Sequence, residues 1–230
     1  MENYKKNLHL LKENNVYSED MEHDACGVGI IASTEGKKSR KVVEYGIEAL
    51  KAVWHRGAVD ADGKTGDGAG IHVEIPKDFF IEKIEVTGHT HDNSEICVGM
   101  IFLPRNDYAA QESCKTIVES ELTKNNFSIY GWRQVPVNPK VLGEKAFQTM
   151  PEIIQVLFKS YDPELINKDL ERKIYETRRK IENEAFKKSL NNFYICSLSS
   201  KSIIYKGMFL AEAISDLYLD LKDERFVSRL

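Results

Sequence analysis

The stretch Met21-Glu-His-Asp-Ala-Cys26-Gly-Val-Gly-Ile-Ile-Ala-Ser33 sets a cysteine directly ahead of an apolar run. A short run of this kind, flanked by polar residues, predicts a strand over Cys26 to Ala32. Two roles are open to the thiol at its head. Free cysteine is among the most buried side chains, so core packing is the commoner one. The other is nucleophilic chemistry, and the stretch by itself does not choose between them.

Outward from this run the chain divides unevenly. Residues 1–24 are rich in Asn, Lys and Glu with little apolar periodicity, which predicts a mobile or loosely attached leader. Beyond Ala32, β-rich runs predict strands at Gly70 to Ile75, Ile96 to Leu103, Ile153 to Phe158, Phe193 to Leu198 and Ser202 to Tyr205. Val43, Ile47, Leu50 and Trp54 recur at helical spacing and predict a helix over about Ser39 to Trp54. Leu170, Ile174, Thr177, Ile181 and Ala185 do the same in a charged segment where Glu176-Lys180 and Glu184-Lys188 stand at i,i+4. Further helices are predicted at Tyr108 to Thr123 and Met208 to Leu217. Strands and helices without a regular βαβ rhythm indicate an α+β fold of layered sheets and helices.

With 230 residues, 42% of them hydrophobic, the chain is long enough for a sizeable core. Its net charge is −4, with 32 basic residues interleaved among 36 acidic ones, so nucleic acid and membrane surfaces are poor partners. No apolar run approaches the ~20 residues of a membrane span, and residues 1–20 are too polar to hold the apolar centre of a secretory signal. A cytoplasmic protein is expected. Cys26, Cys97, Cys114 and Cys196 are far apart, which points to reduced thiols with neither disulfides nor a zinc site. His89-Thr-His91-Asp92 has metal-ligand spacing, but Gly88, Asn93 and Ser94 around it make a polar turn the better reading, and no metal is expected.

A second informative stretch runs His55-Arg56-Gly57-Ala58 and then Asp62-Gly-Lys-Thr-Gly66-Asp67-Gly68-Ala-Gly70. The glycines permit close backbone approach, so the loop can line a site or simply turn the chain. It lacks the Gly-Lys-Ser/Thr ending of a phosphate-binding loop. His55-Arg56, at the end of a helix, can equally face its C-terminal carbonyls.

Taken together, Asp24-Ala-Cys26-Gly-Val-Gly-Ile-Ile-Ala, His55-Arg-Gly-Ala58, Thr65-Gly-Asp-Gly-Ala-Gly-Ile71 and Ile75-Pro-Lys-Asp-Phe-Phe80 closely resemble the start of the glutamate synthase large-subunit family. The likeness continues through Trp132-Arg-Gln-Val-Pro136, Glu171-Arg-Lys-Ile-Tyr175 with Arg178-Arg179, Phe193 to Ser200 and Tyr205-Lys-Gly-Met208. It covers the chain beyond the leader.

The resemblance implies a class II glutamine amidotransferase domain, an N-terminal-nucleophile hydrolase with a four-layer αββα sandwich, here truncated at its C-terminal side. Residues 1–25 become a leader or propeptide, and residues 26–230 an incomplete amidotransferase domain that opens on the catalytic Cys26. Gly27, Arg56 and Gly57 are the implied substrate-binding or nucleophile-orienting residues, with Asp67 and Gly68 in a pocket-supporting loop. The implied substrate is L-glutamine, hydrolysed to glutamate and ammonia for transfer to 2-oxoglutarate. No cofactor is implied for this chain. FMN and an iron-sulfur cluster, downstream synthase domains, and a small reductase subunit or ferredoxin belong to the full-length parent. The family's oxyanion-hole Asn-Gly is absent from the sequence, and its carboxylate-binding Arg-Phe-Ser-Thr segment would lie past Leu230. The expectation is therefore an amino-terminal fragment, inactive by itself or serving as a partner-binding remnant.

Overall fold

The computed structural model describes residues 2–14, 27–53 and 58–230. The chain opens on helix α1 (Glu2–Glu13), within the stretch read as a mobile or loosely attached leader. Lys-, Glu- and Leu-rich composition is good helix-forming material even without a strong apolar stripe. Then come α2 (Arg40–Ala52), β1 (Ala69–Glu74), α3 (Lys77–Val86), β2 (Cys97–Leu103), α4 (Tyr108–Lys124), β3 (Phe127–Gln134), α5 (Glu144–Thr149), β4 (Glu152–Ser160), α6 (Asn167–Lys187), β5 (Tyr194–Ser199), β6 (Ser202–Gly207) and the short α7 (Ile214–Leu217).

Four strands form an antiparallel sheet in the order β3-β4-β2-β5. Because β2 runs against β4 and β4 against β3, β2 and β3 point the same way, as do β4 and β5. The units β2-α4-β3 and β4-α6-β5 are thus two crossovers, each spanning one strand of the other, which is the split βαβ arrangement of a ferredoxin-like βαββαβ unit. Side-chain alternation gives the sheet two covered faces. Cys97, Ile101, Leu103, Ile154, Val156 and Phe158 pack under α4 and α6, whose buried stripe in α6 is Leu170, Ile174, Thr177, Ile181 and Ala185 as the spacing predicts. Val98, Met100, Tyr130 and Leu157 face the other way, into a core shared with β1, β6, α2, α3 and the C-terminal segment.

The second sheet is the antiparallel pair β1-β6, in register from Ala69↔Gly207 to Glu74↔Ser202. The result is an α+β architecture with two antiparallel sheets and helices packed against both. Of the strand predicted over Cys26 to Ala32, the described part, Gly27 to Ala32, is irregular: Val28 and Ile30 are 89% and 78% exposed, and no strand among the described residues pairs with them. A strand exists only through its neighbour's hydrogen bonds, and an open groove separates this run from β1.

Three further differences have local causes. The strand β3 escapes the pattern because Gly131, at φ 149°, makes a bulge that shifts the register between Ile129 and Gly131. Helix α3 begins immediately after Pro76, whose fixed φ suits a helix start. In place of a helix over Met208 to Leu217, Phe209 is buried, Leu210 is extended, and only a 3-10 turn (Ala211–Ala213) and α7 remain. No helix among the described residues is long and apolar enough to cross a membrane.

Candidate active site

Gly27 sits where two grooves meet. The first, of about 1170 Å³, runs between Gly27 to Ile31, α2 and β1 and ends at Glu74, Arg229 and Leu230. The second, of about 1030 Å³, is bounded by Gly27, the Asp67-Gly68 turn, β1, β6 and Met208 to Glu212. The residues common to both are Gly27, Leu50, Val53, Gly70, Ile71 and His72. Strand alternation explains the lining. Ile71 and Val73 of β1 face the core with Ile203 and Tyr205 of β6, while Gly70 and His72, paired with Lys206 and Ile204, occupy the more open face.

The glycine-rich loop is an ordered hairpin. Val59 bridges to Gly66, Asp60 N–H donates to Thr65 O at 2.8 Å, and Asp67 N–H donates to Ala58 O at 3.3 Å. Asp62 organises the tip: its carboxylate accepts from the Thr65 hydroxyl at 2.6 Å and from the amides of Lys64 and Thr65. These donors hold the Asp62 carboxyl well below the usual carboxylate range, the Thr65 hydroxyl foremost. Lys145 of α5 pairs with Asp60 at 2.8 Å. Gly66 packs so tightly on the backbone of Phe209 that an added Cβ would lie 2.7 Å from its carbonyl oxygen. The hairpin thus locks against α5 on one side and the stretch after β6 on the other, and its end, Asp67 and Gly68, is delivered to the second groove.

Of the residues predicted for the site, the structure brings Gly27, Asp67 and Gly68 to one groove. Cys26, His55, Arg56 and Gly57 lie outside the described residues, as does the whole segment from Asn15 to Ala25. The sequence reading passed over the opposite wall. There Lys206 Nζ donates to the Tyr194 hydroxyl at 2.6 Å and lies 4.5 Å from its ring centroid, with the Phe102 ring 5.8 Å from that of Tyr194. The signal was the β1-β6 register, which no local pattern carries.

The described cysteines are inert in character. Burial pushes the Cys114 and Cys196 thiols up to about 11 and that of Cys97 higher still. Among the described residues no group of three or more His, Cys, Asp or Glu stands close enough together to hold a metal ion. The His-x-His pair is spent on its own turn: His89 Nδ1 meets Thr87 Oγ1 at 3.1 Å and His91 Nε2 meets Ser94 O at 3.0 Å. Asp92 beside them takes Lys159 and the Ser94 hydroxyl.

Comparison with known proteins gives the relatives of the chain. The family model described as class-II glutamine amidotransferases matches residues 26–230, beginning at Cys26. The chain is 53% identical to the large chain of glutamate synthase [NADPH] of Azospirillum brasilense over 98% of its own length and 15% of that protein's. It is 38% identical to the chloroplastic ferredoxin-dependent glutamate synthase of Spinacia oleracea, over 96% of this chain and 14% of that one. With ferredoxin-dependent glutamate synthase 2 of Synechocystis sp. the identity is 37% over 90% and 13%. The chain thus spans about one-seventh of the length of the curated relatives it matches.

Proposed function

Because the chain belongs to the class II glutamine amidotransferases, we propose that it is the glutaminase portion of a glutamate synthase, with Cys26 as nucleophile. The observation that carries this reading is the family match, which opens on Cys26 and runs through residue 230. The higher identity to the NADPH-dependent relative than to the ferredoxin-dependent ones favours a nicotinamide as the parent's electron source.

In this reading residues 1–25 are removed, and residues 26–230 belong to the amidotransferase domain. A thiol with a reference pKa near ~8.5 is mostly protonated at neutral pH and needs a base. The freed α-amine of Cys26, near ~8 by reference, supplies one beside the sulfur. The thiolate attacks the side-chain amide carbon of glutamine. The tetrahedral oxyanion collapses, the C–N bond breaks, and the thiol's proton, carried by the α-amine, leaves with ammonia. Water then cleaves the γ-glutamyl thioester, releasing glutamate and restoring Cys26.

Arg56 and Gly57 orient the nucleophile. Gly27, which lines both grooves, leaves backbone room beside it, and the Asp67-Gly68 turn forms the wall opposite Lys206. The ammonia passes to 2-oxoglutarate in synthase domains that carry the FMN and iron-sulfur chemistry. In the full gene product, Cys26→Ser abolishes glutamine-dependent glutamate formation and spares the ammonia-dependent reaction. Equal loss of both in a folded protein would overturn the assignment.

A further inference from the structure

Ser228 to Leu230 lie at one end of the first groove, and their hydrogen bonds give them a direction. Ser39 and Ser228 form an antiparallel bridge, and the Ser33 amide donates to Arg229 O at 2.8 Å. On the other side the Glu74 amide donates to Ser228 Oγ at 3.1 Å, and the Arg229 amide donates to the Glu74 carboxylate at 2.7 Å. Ser228 and Arg229 thus stand between the run that ends at Ser33 and the end of β1. As the chain advances from Ser228 to Arg229 its partner falls back from Ser39 to Ser33. The heading is therefore antiparallel to residues 27–33 and, from Glu74 onward, to β1 as well.

Both walls of the groove are prepared for a strand. In a strand, successive residues direct their backbone groups to opposite edges. Ile75 N–H goes to Lys201 O, on the β6 side, whereas Glu74 N–H goes to Ser228, on the other. Gly70 and His72 share the parity of Glu74, so their N–H and C=O groups face the groove, where no backbone among the described residues pairs with them. Such an edge is a template for a further strand. Across the groove, a Cβ on Gly29 would lie 3.9 Å from that of Ala49 on α2, which turns the exposed Val28 and Ile30 away from the helix.

We infer that the first groove seats a β-strand formed by the polypeptide that continues past Leu230 in the full gene product, antiparallel to residues 27–32 on one edge and to β1 on the other. The occupant follows from the heading of Ser228 to Leu230 and from the relatives, whose opening the chain resembles and of which it covers 15% and 14%. About four residues of extended chain reach from the level of Glu74 to that of Gly70. The added strand makes the β1-β6 ribbon a four-stranded sheet in the order residues 27–32, continuation, β1, β6. It also supplies the neighbour whose hydrogen bonds turn residues 27–32 into the strand that their sequence predicts. The inference is independent of the role of Cys26.

The test introduces the photo-crosslinker benzoylphenylalanine into the full gene product as Ile30→benzoylphenylalanine or His72→benzoylphenylalanine, one exposed position on each wall. Mass spectrometry after irradiation is expected to find both positions joined to the same peptide, the one that follows Leu230. Hydrogen exchange reads the backbone: the Gly70 and His72 amides exchange about tenfold or more slowly in the full gene product than in residues 1–230, while those of Ile71 and Val73, bonded to β6, change less. The crosslinks, read in the full protein, decide the matter even where residues 1–230 fail to fold by themselves. Crosslinks to residues 15–25, to a second copy of the chain or to no common segment would overturn the inference. Equal exchange at Gly70 and His72 in two folded proteins would do the same.

Discussion

Asp220 is buried, and its carboxylate is met from two sides. Arg133 of β3 donates both terminal nitrogens to it, one at 2.8 Å, and the Tyr205 hydroxyl of β6 donates at 3.0 Å. The same Arg133 reaches Gln155 of β4 at 2.7 Å, and Gln155 donates to Tyr205 at 3.3 Å, closing the network. Removing one member strands a buried charge, which costs more than the pair contributes. Arg133→Met is therefore expected to lose about 3–5 kcal/mol of stability in urea unfolding, whereas joint replacement of Arg133 and Asp220 by apolar residues recovers much of it. Arg133 was legible as part of a family motif, but its partner, 87 residues away, was not. Charge pairing across that separation depends on the fold already being formed. The same limit hid the wall of Phe102, Tyr194 and Lys206, while Gly27, Asp67 and Gly68 were readable because their motifs are contiguous.

Helix α6 shows what a pattern can and cannot reveal. Its buried stripe follows from spacing alone, because 3.6 residues per turn dictates which positions share a face. Its ion pairs do not follow. In place of the predicted Glu176-Lys180 and Glu184-Lys188 pairs, Glu176 takes Arg172, Glu182 takes Arg178, Glu184 takes Lys187, and Lys180 donates to Asn125 at the end of α4. Exposed charges choose among near-equivalent neighbours, so each pair is worth little. Glu176→Gln is expected to change stability by no more than about 0.5 kcal/mol. Glu171 differs: it accepts from the Ser199 hydroxyl at 2.9 Å and from the Ser200 amide and hydroxyl, each at 2.7 Å, at the corner where β5 leaves one sheet for the other. Glu171→Ala strands these donors and is expected to cost about 1–3 kcal/mol, read in the same melts.

Between elements, Arg225 of the C-terminal segment joins Glu82 of α3 to Asp223. Hydrogen bonds from Arg225, with help from Lys83 at Glu82, hold both carboxyls down at about 2. A carboxyl depressed by folding adds stability above its ordinary range near ~4, and that stability is lost as pH falls through the folded value. The urea midpoint of the protein therefore declines between about pH 4.5 and pH 2, and Arg225→Met flattens this decline. An identical acid slope in the variant would show that other carboxylates carry it.

At the scale of the whole molecule, the α+β class and five of the six strands were readable because hydrophobic runs bounded by turn residues mark strands locally. Two sheets came with the family resemblance, but their division into four strands and two was not legible, because it depends on which strands pair. Processing is the whole-chain property with the most direct test. Mass spectrometry of the active gene product is expected to find Cys-Gly-Val-Gly at its amino terminus, and an active enzyme that keeps Met1 would refute removal of the leader.

The split βαβ unit also governs the order in which the site comes into being. Pairing Glu74 with Ser202 closes a loop over most of the described chain, and ordering such a loop before its contents are folded is entropically costly. The pairing of Val98 with Ser199 brings the two ends of that loop together once the four-stranded sheet has formed. The two-stranded ribbon should therefore be the last sheet to assemble and the first to open. In native-state hydrogen exchange, amides of β1 and β6 are expected to exchange through a smaller opening than those of β2 and β4. The groove walls would then be lost and regained by partial opening while the four-stranded sheet stays folded, and activity would report the last step of folding rather than the global transition.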